Sequence, residues 1–276
     1  MHVLQNSNTA VFINEIGAEV KSLRHKGKEL IYQKEEGFWQ RSSPVLFPIV
    51  GRLIGDSYSY QGTKYSLNQH GFARDLPFDL IQSNENNCTF RLQDGKQTFN
   101  GYPFAFSLSI TYRLSDTGLY VNYTVESKET SIYYSIGAHP AFQLMSDIDN
   151  YELRFDNDSN INPYGLVVGY PVMRSHAQDL GSLALSEESF DMDSLILKHI
   201  KSKNLDVFKN GVRIFGMQFD APYFGIWKQK NAPFICLEPW WGIPDSRGHQ
   251  GVLTEKEGII LLDSHQKNTH SWAIIF

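Results

Sequence analysis

Along most of this 276-residue chain, apolar and polar positions alternate with a period of two. In FSLSITYRL (106–114), Phe106, Leu108, Ile110, Tyr112 and Leu114 share one face. After the turn LSDTGL, the alternation resumes at Leu119, Val121, Tyr123 and Val125. Successive side chains of a strand point to opposite sides, so this stretch predicts a hairpin with one buried face. EVKSLRHKGKELIY (19–32), YSYQGTKYSL (58–67) and FDLIQSNENNCTFRLQ (78–93) predict three more hairpins, and GIILLDSHQKNTHSWAIIF predicts two closing strands. Helical periodicity is scarce. SLALSEESFDM (182–192) predicts one short helix with Ser182 as its cap, and DNDSNINPYG (156–165) reads as loop. Strands and helices do not alternate regularly, which argues against a parallel α/β sheet. The pattern predicts an all-β fold: a large antiparallel β-sandwich with few short helices, residues 1–276 forming one domain.

Composition narrows the function classes. The net charge is −5 and no dense basic patch exists; KHIKSKNLDVFK (198–209) is the most basic window and reads as a solvated face, so nucleic acid is not an expected partner. No apolar leader and no run of about 18 apolar residues is present, which predicts a cytoplasmic protein without a membrane partner. Cys88 and Cys236 lack CxxC spacing, and the nine histidines form no HExxH, so neither a disulfide framework nor a metal is expected. Aromatic residues reach 13%. Strand propensity accounts for most of that total, but flat rings also stack on the C–H faces of sugars.

Three segments place a polar group where an apolar one belongs. LNQHGFARDLPF carries His70, YSIGAHPAFQL carries His139, and FICLEPWWGIPD carries Glu238 between an apolar run and Trp240–Trp241. Each histidine has an ordinary structural reading beside a catalytic one. Glu238 stands out more, because a carboxylate is costly to bury without a partner.

These segments, taken together, resemble the aldose 1-epimerase (galactose mutarotase-like) family. GAEVKSLRHKGKELIY is similar to the family's opening hairpin and PIVGRLIGDSYSYQGTKYSLNQHGFARD to its arginine-then-histidine block. GAHPAF and FICLEPWWGIPD resemble the segments with its catalytic histidine and glutamate. The matches keep family order from about residue 15 to 245. The resemblance implies a sugar cleft on a β-sandwich and an aldose as small-molecule partner, with no cofactor. It implies Glu238 as general base on the C1 hydroxyl, His139 as general acid at the ring oxygen, and His70 as a polarising hydrogen-bond donor. Arg52 and Asp193 would bind sugar hydroxyls, with Asp191 as the alternative to Asp193. Trp240 and Arg74 would also reach the substrate, one tryptophan ring being buried and the other partly in the cleft wall.

Mutarotation opens the hemiacetal and recloses it on the other carbonyl face. It needs one proton removed from O1 and one delivered to O5, which a carboxylate and an imidazole can supply. The sugar is then expected between them, the two groups on opposite sides of a gap one pyranose wide. Two other readings stay open. A hexose-6-phosphate 1-epimerase would place cations at the rim, for which Arg41, Arg74 and Lys64 are candidates. A non-catalytic sugar-binding protein would be free to lose one of His70, His139 and Glu238. The assembly is expected to be a monomer or homodimer.

Overall fold

The computed structural model describes residues 1–144 and 147–276. Two large antiparallel sheets dominate it. One has nine strands, in the order Leu183–Ala184, Tyr151–Phe155, Asn204–Lys209, Val212–Phe219, Lys267–Ile275, Gly118–Ser127, Phe106–Leu114, Asn87–Gln93 and Asp79–Ser83. The other has eight. It runs from Tyr170–Met173 through Tyr164–Val167, Ser194–Lys198, Tyr223–Trp227 and Phe234–Trp241 to Ile136–Ala138 and Val45–Leu46, with Ala141–Gln143 also pairing with Phe234–Trp241.

The alternation read from the sequence is what buries the space between the sheets. Leu108, Ile110, Val121 and Val125 from the nine-stranded sheet join Ile235, Leu237 and Trp241 from the other in one core cluster. Phe142 stacks on Phe215 at 4.4 Å between ring centroids, and Phe224 packs edge-on to Phe155 at 5.5 Å. The four expected hairpins and both closing strands form. The expected helix shrinks to a single 3₁₀ turn, Glu187–Phe190. Its N-cap is Ser186, whereas the Ser182 hydroxyl donates to Glu152 at 2.5 Å. Among the described residues, no helix is long and apolar enough to cross a membrane.

The strand Phe234–Trp241 is buried at all eight positions, so it has two apolar environments rather than one. Ile235, Leu237 and Trp241 face the space between the sheets; Phe234, Cys236 and Trp240 pack in separate clusters on the other side. Glu238 belongs to this second, outer face, because side chains two apart share a side.

Two buried carboxylates fix the loops around that face. Glu19 Oε1 accepts the backbone N–H groups of Ser42 and Ser43 at 2.7 and 3.0 Å, and its other oxygen pairs with Lys21 at 2.9 Å. This anchors the segment that carries Trp39 and Arg41. Asp245, 1% exposed, accepts the Ile54 N–H at 3.0 Å and lies 3.2 Å from His249 Nδ1 and 3.4 Å from Lys256 Nζ. Its own N–H donates to the Arg52 carbonyl at 3.0 Å. The Arg52 loop is thereby tied to the end of the Glu238 strand.

Breaking a buried ion pair on one side leaves an unpaired charge in a dry site, at a cost of about 3–5 kcal/mol. Asp245→Ala is therefore expected to lower the unfolding free energy by that order in a denaturant titration. A surface control, Asp116→Ala, is expected to change it by less than about 0.5 kcal/mol.

Candidate active site

His139 and Glu238 meet because of strand register. On one side of them Gly137 pairs with Trp240; on the other Ala141 pairs with Cys236. Counting two residues inward from either pair sets His139 opposite Glu238. Between the two short ladders Pro140 interrupts regular pairing, and its carbonyl accepts the Leu237 N–H at 3.2 Å. Directly opposed side chains have Cβ atoms roughly 5 Å apart, close enough for side-chain contact. His139 Nε2 lies 3.3 Å from Glu238 Oε2.

The indole of Trp240 supports the same carboxylate, its Nε1–H donating to Glu238 Oε2 at 3.2 Å. The ring crosses the two neighbouring strands over Gly137 and Gly225. A Cβ added at Gly225 would fall 2.5 Å from Trp240 Cζ2, and one at Gly137 would fall 2.7 Å from Cδ1. Only glycine leaves room for the ring to lie flat there.

His70 joins from a loop in the left-handed region, with φ 67°. The Gly51 N–H donates to its Nδ1 at 3.1 Å, so Nδ1 is an acceptor and the ring proton resides on Nε2. The Gln69 side-chain amide nitrogen is 3.2 Å from that Nε2, and turning the amide over would set its oxygen to accept the Nε2–H. The imidazoles of His70 and His139 stand edge to face, 5.5 Å between centroids. Trp39 stacks on the other side of His139 at 4.7 Å, and Trp227 meets His139 edge-on at 5.8 Å.

One cavity of about 640 Å³ collects these groups. His70, His139, Glu238, Arg52, Asp193, Arg74 and Trp240 all line it, as do Arg41, Trp39, Gln69 and Trp227. Asp193, also left-handed at φ 68°, accepts the Trp227 Nε1–H at 3.0 Å. Asp191 instead pairs with Arg174 and lies outside the cavity. Lys64 is on the exposed hairpin strand Thr63–Ser66 and does not line it either. Both rings of the Trp240–Trp241 pair are nearly buried; Trp240 borders the cavity, while Trp241 packs in the core against His270.

The expected gap one pyranose wide between Glu238 and the imidazoles is absent, since His139 and Glu238 are in contact. Strand register supplies the reason, because the pairing of Gly137 with Trp240 and of Ala141 with Cys236 sets the two side chains directly opposite each other. Sequence reading also passed over Trp39, Trp227 and Gln69. A tryptophan in the polar stretch EEGFWQRSS was the available cue for Trp39. Trp227 looked like any strand-end aromatic.

Burial controls the electrostatics. It pushes Glu238 well above the ordinary carboxyl range, partly countered by the Trp240 hydrogen bond and reinforced by Asp193. It lowers His139 to about 3, with the positive charges of Arg74 and Arg41 adding to the effect. His70 is lowered well below 6.5 by burial, then by His139, Arg74 and Arg41. Both shifts favour the neutral forms, a protonated carboxyl on Glu238 beside a neutral imidazole on His139.

The family profile of aldose 1-epimerase matches residues 1–165. The chain belongs to the aldose 1-epimerase family. It is accordingly an isomerase of the epimerase class. A galactose mutarotase related enzyme from Lactobacillus acidophilus superposes with a TM-score of 0.93 at 30% identity, covering 99% of this chain and 96% of that one. A galactose mutarotase-like protein from Lactobacillus casei gives 0.93 at 28%, covering 100% and 99%. The plasmid-encoded protein LacX of Lactococcus lactis is 27% identical over 96% of each chain.

The site's pH behaviour follows from the direction of these shifts. A free imidazole gains its proton as pH falls through 6.5, but His139 does so only near 3. Between those values His139 stays neutral in the folded chain. The acid limb of kcat/KM, which reports ionisations of the free enzyme, is expected below pH 5 with no inflection near 6.5. Activity measured from pH 4 to 8 tests this. The same shifts act on stability: the unfolded chain takes up protons on His70 and His139 as pH falls below 6.5 while the folded chain does not, so both histidines' contributions are full above 6.5 and lost progressively below it.

Proposed function

We propose that this protein is a mutarotase, interconverting the α and β anomers of an aldose such as galactose or glucose by ring opening and reclosure. The observation that carries this reading is the contact between His139 and Glu238. It unites an acid and a base holding one transferable proton, on one wall of a cavity that also offers hydroxyl-binding groups. As a sugar hydroxyl reaches Glu238, its hydrogen bond stabilises the carboxylate, and the shared proton moves to His139. Glu238 then takes the proton from O1 while His139 delivers one to O5, and the C1–O5 bond breaks. After rotation about C1–C2, O5 attacks the other face of the carbonyl; His139 recovers its proton and Glu238 returns one to O1. The proton count is unchanged over the cycle, so no cofactor is required by the chemistry.

His70 serves as a neutral donor through Nε2–H, polarising the ring oxygen rather than protonating it. Asp193 and Arg52 bind hydroxyls, Asp193 on the Glu238 side. Trp240 orients the carboxylate through its N–H, and Trp39 holds the His139 ring in plane.

A general acid or base contributes ~10²–10⁴-fold. Glu238→Gln preserves shape and hydrogen bonding without basicity, and is expected to slow mutarotation of fresh α-D-glucose or α-D-galactose by about 10² or more with binding retained. His139→Asn is expected to match it, and His70→Asn to cost less. Arg52→Ala is expected to weaken binding as well as rate. Polarimetry paired with calorimetric binding checks all four; a folded Glu238→Gln protein turning over at the wild-type rate would remove the mechanism.

A further inference from the structure

Cys236 takes no part in the proton transfers, yet it borders them. It precedes Glu238 by two residues on the strand Phe234–Trp241, so the two side chains share the outer face. Cys236 is fully buried, in the cluster of Tyr32, Ala141 and Phe234 against which Trp39 and Trp227 pack. The Cys236 sulfur, a His139 ring nitrogen and a Glu238 carboxylate oxygen lie within 4.8 Å of one another. Among the described residues, no other three histidine, cysteine or carboxylate side chains converge in this way.

These three side chains have the composition and size of an open zinc site. Zinc takes sulfur, nitrogen and oxygen ligands together, and its open sites use three protein ligands with the fourth position left to water. Bonds of about 2.0 Å at the tetrahedral angle place a nitrogen and an oxygen ligand about 3.3 Å apart. His139 Nε2 and Glu238 Oε2 are 3.3 Å apart. The longer bond to sulfur, about 2.3 Å, asks for a separation of about 3.5 Å, which a small rotation of the Cys236 side chain supplies. His139 and Glu238 both line the cavity, so an ion entering there meets two ligands at once, and water from the cavity fills the fourth position.

Charge balance suits the same ion. Arg41 and Arg74 line the cavity too and oppose a bare cation. Cys236 binds as thiolate and Glu238 as carboxylate, and the protons they give up pass to solvent. One Zn²⁺, two anions and a neutral imidazole then carry no net charge, which is the form that a dry site accepts.

We propose that Cys236, His139 and Glu238 form a zinc site, and that the ion switches the enzyme off by holding the pair that moves the proton. The inhibition rests on the mutarotase reading above; the binding does not.

Binding and turnover are tested separately. Calorimetric titration with Zn²⁺ is expected to show one site, while Mg²⁺ and Ca²⁺, as hard cations that prefer oxygen, are expected to show none. Co²⁺ in place of zinc is expected to bring up a thiolate-to-cobalt charge-transfer band. Cys236→Ala and the near-isosteric Cys236→Ser are each expected to abolish that band, and to weaken zinc by at least the ~10–100-fold that loss of even an outer-shell partner costs. In polarimetry, zinc is expected to stop mutarotation of glucose or galactose by the wild type and EDTA to restore it. Both variants are expected to turn over without zinc, and to continue at a zinc concentration that stops the wild type. Absence of the band in the wild type, or equally tight zinc binding by the variants, would overturn the site. Zinc bound through Cys236 without loss of activity would overturn the inhibition. A protein that turns over neither sugar would overturn the mutarotase reading instead, and the cobalt band would still decide the site.

Discussion

The site depends on one cross-strand pair. His139 and Glu238 are 99 residues apart in sequence, yet they are opposed because short ladders on either side of Pro140 keep a common register. A one-residue slip would turn every side chain of the Phe234–Trp241 strand to the other face. Glu238 would then be driven between the sheets, among apolar side chains of the facing sheet such as Leu108, Ile110, Val121 and Val125. The register is secured by the apolar faces on both sides of this strand. The chemistry of the pair thus depends on packing that takes no part in it.

Burial is what gives the pair its character. Glu238 and His139 are 1% and 7% exposed, and each is pushed toward its neutral form. An isolated buried carboxyl would be a liability, but contact with an imidazole and an indole N–H allows the proton to be shared rather than lost. Two glycines on flanking strands make that indole contact possible by leaving space for the ring. The neutral His70 completes the arrangement, since a backbone N–H on Nδ1 leaves only Nε2 to donate.

Around this neutral centre the charges are kept apart. Asp193 is beside Glu238 and held by Trp227, while Arg41 and Arg74 stand beyond the histidines with Asp75. The buried Glu19 and Asp245 anchor the two loops from which Arg41 and Arg52 project. A polarised cavity with fixed walls presents different charge to the two ends of any molecule bound in it.

The sequence by itself determined the secondary structure and the fold class. Period-two alternation fixes which face of a strand is apolar, and Phe106–Leu114 and Gly118–Ser127 form as the pattern predicts. It also exposed His70, His139 and Glu238, because polar groups inside apolar segments are anomalous wherever the chain folds. The helix expected over 182–192 is only the 3₁₀ turn Glu187–Phe190, since a few polar and apolar residues do not distinguish one turn from a helix. Tertiary structure alone decided that His139 touches Glu238 instead of facing it across a gap, that Asp193 rather than Asp191 enters the cavity, and that Trp39 stacks on His139. Each of these is a through-space relation set by register and by loop anchors far away in sequence. Local pattern carries the direction of a side chain, but its partner depends on which distant strand arrives beside it.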